Sequence, residues 1–69
     1  MDRIAVSSSN LAAVGFDPES STLEVEFLDG ALYQYFDVSE SEYSTLMGSE
    51  SVGKYFSANI RSSYRYAKL

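Results

Sequence analysis

Cysteine and histidine are both absent from this chain of 69 residues. Without thiols there is no disulfide framework, no thiolate zinc site and no cysteine nucleophile. Without imidazole the commonest general base and the commonest transition-metal ligand are missing too. Hydroxyls are plentiful, but no such base stands ready to activate one. The expectation is a protein that is not an enzyme and uses no cofactor or metal. Long apolar runs are also lacking, and the longest, Leu11 to Phe16, falls far short of the ~20 residues that span a bilayer. The start, Met1-Asp2-Arg3-Ile4, has neither the basic nor the apolar region of a secretory signal. A cytoplasmic location without membrane association is therefore expected. A chain this short has room for one core, so residues 1–69 are read as a single domain.

Basic residues are scarce, five against ten acids, for a net charge of −5. Nonspecific polyanion binding draws mainly on Lys and Arg contacts to phosphate, so the overall charge argues against it. The charge is unevenly spread, however. Residues 54 to 69 contain Lys54, Arg61, Arg65 and Lys68 and no acid, while all ten acids and Arg3 precede them. Such a segment either balances an acidic sheet face within the molecule or forms a local patch for anions.

The aromatic content is rich, with six Tyr and four Phe, and the pattern around them defines the elements. Asn10 to Phe16 reads as a strand, closed by turn chemistry in Asp17-Pro18-Glu19-Ser20-Ser21. Thr22 to Leu28 alternates Leu23, Val25 and Phe27 against Glu24 and Glu26, the period of a half-buried strand. Asp29-Gly30 is a hairpin signal, and Ala31 to Phe36 returns. Ser39-Glu40-Ser41-Glu42 then opens a helix, with Ser39 as cap and Glu42 placed to reach back to it. Gly48 is expected to end that helix in the left-handed conformation. Ser49 or Ser51 caps a second helix, in which Val52, Tyr55, Phe56 and Ile60 share a face. Gly53 inside it costs about 1 kcal/mol relative to Ala, which points to a close approach there. The predicted class is α+β: a three-stranded antiparallel meander followed by two short helices packed on one face, with the tail over an edge.

Two hairpin registers place the central Tyr33-Gln34-Tyr35 differently. A two-residue Asp29-Gly30 loop sets Val25 opposite Gln34, which buries an amide and turns both tyrosines outward. A Leu28-Asp29-Gly30 loop with Gly30 as bulge sets Val25 opposite Tyr33 and Leu23 opposite Tyr35. An unpartnered buried amide costs about 1 to 3 kcal/mol, which favours the bulged register and puts the tyrosines on the core face.

Candidate chemistry is thin. Gly48 to Lys54 spells Gly-x-x-x-x-Gly-Lys, but Tyr55 stands where a magnesium-binding hydroxyl belongs, and the stretch joins two helices. What survives is a single-phosphate site from Ser51, the amides near Gly53 and Lys54. The pairs Glu24 with Glu26 and Glu40 with Glu42 are explained by an outward strand face and by a helix's first turn. The strongest constellation is the tail, where Lys54, Arg61, Tyr64, Arg65, Tyr66 and Lys68 interleave cations and rings, a mixture that suits single-stranded nucleic acid.

The ordered set Gly15-Phe16-Asp17, Leu23-x-Val25-x-Phe27, Gly30, Tyr33-x-Tyr35, Val38, Ser51-x-Gly53-x-Tyr55-Phe56, Ile60-Arg61 and Tyr64 resembles the KTSC domain. That short module occurs alone in bacterial proteins and at the C-terminus of some lysyl-tRNA synthetases. The resemblance places the family's central motif on Tyr33 and Tyr35 and its distal motif on Ser51, Gly53, Tyr55 and Phe56. The chain departs from the family pattern at Phe16, where a Tyr is common, and at Gly48-Ser49, where a helix-favouring pair is more usual. The family's association with the synthetase implies a noncatalytic binding module with RNA as its partner. The alternative is a protein partner, held by the tyrosine-rich C-terminal segment or a sheet edge.

Overall fold

The computed structural model describes residues 1–69, in the order β1 (Arg3–Ala5), β2 (Leu11–Asp17), β3 (Thr22–Phe27), β4 (Leu32–Tyr35), α1 (Glu40–Gly48), α2 (Val52–Asn59) and β5 (Tyr66–Lys68). The strands form one antiparallel sheet in the order β1-β2-β3-β4-β5. The expected meander is its centre, but the sheet has five strands, not three. The additional two are short edges. At one side Arg3 pairs with Gly15 and Ala5 with Ala13, and at the other Tyr35 pairs with Tyr66 and Tyr33 with Lys68. The tail thus docks as an edge strand.

The hairpin takes the bulged register. Val25 opposes Tyr33 and Leu23 opposes Tyr35. Phe27 N–H donates to Ala31 O at 2.9 Å, and Gly30 sits at φ +91°, a conformation that favours glycine. The inner face of the sheet therefore carries Val14, Leu23, Val25 and Tyr35, and α1 and α2 close it with Leu46, Phe56 and the following Ile60. Full burial of these side chains, about 1.5 to 3 kcal/mol each, is the main drive for the fold.

On the outer face Glu24 is only 6% exposed, because Arg3 lies across it and Gln34 donates to it at 3.0 Å. Burial pushes its carboxyl pKa up, but the bonds from Gln34 and Arg3 outweigh that and hold it below the usual range. The outward strand face expected for this residue is thus a covered ion pair. Gly15 makes it reachable, since a Cβ there would stand 2.6 Å from Asp2 O and 3.1 Å from Arg3 Cγ.

The caps hold with two corrections. Ser39 accepts from Glu42 N–H at 3.0 Å and Ser51 from Lys54 N–H at 3.3 Å. Glu42 does not reach back to Ser39, because its carboxylate is taken by Tyr55 and Tyr64. Gly48 does not turn left-handed. Ser49 ends α1 in extended backbone, with its N–H and its hydroxyl both donating to Leu46 O.

Candidate functional site

The alternation of β4 and β5 puts Tyr33, Tyr35 and Tyr66 on one side of the sheet, with Tyr35 against Phe56 of α2. Tyr35 is 3% exposed and burial pushes its phenol pKa up, Tyr33 is half-buried, and Tyr66 is 59% exposed. Ring centroids stand 5.9 Å apart for Tyr33 and Tyr66 and 5.6 Å for Tyr35 and Tyr66. Phe27 meets Tyr33 edge-on at 5.4 Å and fixes its tilt.

These rings line a cleft of about 710 Å³. The β3–β4 loop adds Leu28, Asp29 and Ala31, the turn after α2 adds Arg61 and Ser62, and β5 adds Lys68. Lys68 Nζ lies 6.0 Å from the centre of the Tyr33 ring. Asp29 is committed to the turn, where its Oδ1 accepts from Ala31 N–H at 3.0 Å.

The ion pairs sort the cations. Arg3 is held by Glu24 and Glu26, and Arg65 by Asp37 at 2.9 Å. Lys54, Arg61 and Lys68 have no carboxylate within pairing distance. Two of these three, Arg61 and Lys68, line the aromatic cleft. Lys54 lines a second, shallower cleft with Ser9, Asn10, Gly53, Ser57 and Ala58.

Of the tail residues singled out in the sequence, Arg61, Tyr66 and Lys68 are thus brought together with Tyr33 and Tyr35. Arg65 is not, and lies 5.5 Å over the Phe36 ring beside Asp37. Tyr64 and Tyr55 are not either, since their hydroxyls both donate to Glu42, Tyr64 at 3.0 Å. That bond raises the pKa of Tyr55, and burial followed by the same carboxylate raises that of Tyr64. Phe56 is core, packed edge-on against Phe27 and Tyr35. Ser51 is a helix cap and Gly53 a close approach, where a Cβ would stand 2.4 Å from Ser8 Oγ and 2.5 Å from Asn10 Oδ1. The Lys54 N–H that the single-phosphate reading offers to an anion donates instead to Ser51 Oγ. Asn10, Leu28 and Asp29 line the cleft without having been singled out; Leu28, an exposed leucine in a hairpin loop, was the one visible signal.

The KTSC domain model matches residues 7–64. The chain belongs to the KTSC family. It is similar over its whole length to an uncharacterized protein of Stutzerimonas stutzeri, 40% identical over 70 aligned residues that cover 99% of that protein. It is 33% identical to a lysine–tRNA ligase of Nostoc sp. over 61 residues, 88% of this chain and 11% of the ligase. The crystal structure of a KTSC domain protein from Yersinia pestis superposes with a TM-score of 0.92 at 33% identity, covering 99% of this chain and 96% of that one. The KTSC model stops short of both edge strands, so Tyr66 and Lys68 lie outside the matched span. No helix is long and apolar enough to cross a membrane.

Proposed function

We propose that this KTSC domain is a noncatalytic binding module, acting in the cytoplasm, whose partner is single-stranded RNA. The reading rests on one observation: a cleft lined by Tyr33, Tyr35 and Tyr66 and by two cations, Arg61 and Lys68, with no carboxylate within pairing distance of either. Bases stack on such rings whatever their identity, and free cations take the backbone phosphates. The similarity to part of a lysine–tRNA ligase adds support. A noncatalytic role is supported by the acids near these sites being committed elsewhere, Asp29 to its turn and Glu42 to two phenols.

Anisotropy titration of a labelled oligoribonucleotide at low ionic strength tests the reading. Saturable binding that Arg61→Ala and Lys68→Ala both weaken is expected. No change in signal up to high micromolar protein overturns it. A second reading, a protein-interaction module, is favoured by β5 being an outermost strand that carries exposed Tyr66 and is followed by exposed Leu69. Partners captured from lysate that survive nuclease treatment and tolerate salt would favour it over RNA.

A further inference from the structure

The aromatic cleft and the shallow cleft share a lining residue, Asn10. Lys54, Ser57, Ala58 and Arg61 follow one another at helical spacing, and so lie along one stripe of α2 and its closing turn. Lys54, Ser57 and Ala58 line the shallow cleft and Arg61 the aromatic one, so the stripe leads from one into the other. The residues between the two cations are small and exposed, which leaves the path open. No acid lines the shallow cleft, and the only one in the aromatic cleft is the committed Asp29. All three unpaired basic side chains of the molecule therefore fall on one continuous surface in a chain of net charge −5.

We propose that the two clefts form one track for a short unpaired RNA strand, with a base against Tyr33 and Tyr66 and the backbone running past Arg61, over Ser57 and Ala58, to Lys54. This rests on the RNA-binding reading and adds its extent and its ligand class. A paired base keeps its faces in the helical stack and does not reach the tyrosines, so a duplex is a poor ligand. A dinucleotide fills the aromatic cleft alone, and only a longer strand reaches Lys54. Neutralising about three phosphates, at about 0.7 each for a single strand, sets the slope of log affinity against log salt near about −2.

The test titrates labelled oligouridylates of two and six nucleotides at about 50 and 200 mM salt. The longer strand is expected to lose about fifteenfold in affinity across that range, with the dinucleotide losing markedly less. Lys54→Ala is expected to reduce the slope for the longer strand by about 0.7 and to leave the dinucleotide unchanged. Ser57→Glu, which sets a carboxylate between the cations, is expected to weaken the longer strand several-fold, whereas Ser57→Gln binds as the parent does. If Lys54→Ala and Ser57→Glu leave the longer strand unaffected while Arg61→Ala and Tyr66→Ala weaken it, the track is wrong and the RNA reading stands. If the parent protein binds neither oligonucleotide, both fall.

Discussion

Tyr64 and Tyr66 are two residues apart, yet one is a fixture and the other a contact surface. Tyr64 joins Tyr55 on the carboxylate of Glu42, tying the tail to both helices. Tyr66 lies instead with Tyr33 and Tyr35, and none of those three hydroxyls has a protein partner, although no buried polar atom is left unsatisfied. The difference is made by the single acid beside Tyr64 and by the cations beside Tyr66. A phenol whose hydroxyl is bonded to a half-buried acid is held in one orientation. A ring with its face in a cleft beside Arg61 and Lys68 is free to meet a ligand.

The largest effect is expected from Phe56→Ala, because Phe56 is fully buried against Phe27 and Tyr35, which support the cleft. Its loss should cost about 3 to 5 kcal/mol by chemical denaturation, most of what a domain this size has. Glu42→Ala breaks the fixture alone. It removes two bonds to a charged group and should cost about 1 to 3 kcal/mol, while the folded fraction keeps its RNA affinity. If RNA affinity falls in proportion to stability, the two sites are not separable. A smaller effect follows from pH. Both fixture phenols have raised pKa values in the fold, so their contribution is complete below the unfolded value of about 10 and is lost as pH rises through the folded values. Thermal melts should show stability falling above about pH 10, and Tyr55→Phe should flatten that limb. The smallest stability change, within about 0.5 kcal/mol, is expected for Tyr66→Ala at its exposed site. Its RNA affinity should nevertheless drop about 5- to 150-fold by titration, the size of one lost stacking contact.

What the sequence made legible was local. The hairpin register followed from Gly30 and the cost of burying Gln34, and both helix starts followed from their serine caps. Nothing in the sequence separated Tyr64 from Tyr66, and both were read into one basic and aromatic tail. What escaped was nonlocal. β1 is three residues long, too short for a period, and its place is set by the missing side chain of Gly15. Glu24 was read as facing out, since nothing in Arg3 announces a partner twenty-one positions on. Glu42 was assigned to its own helix start, and its actual partners lie 13 and 22 residues later. Half of the site shares this character. Arg61 and Lys68 were visible as a basic tail, but Leu28 and Asp29 reach the cleft through the fold.

The most direct measurement is a map of amide shifts in the labelled protein as a short single-stranded RNA is added. Saturable shifts are expected at Tyr33, Arg61, Tyr66 and Lys68, with Glu42, Tyr55 and Tyr64 undisturbed. Shifts centred on Glu42 and its two phenols, or a spectrum that RNA leaves unchanged, would contradict the assignment of the aromatic cleft as the place where this domain meets its partner.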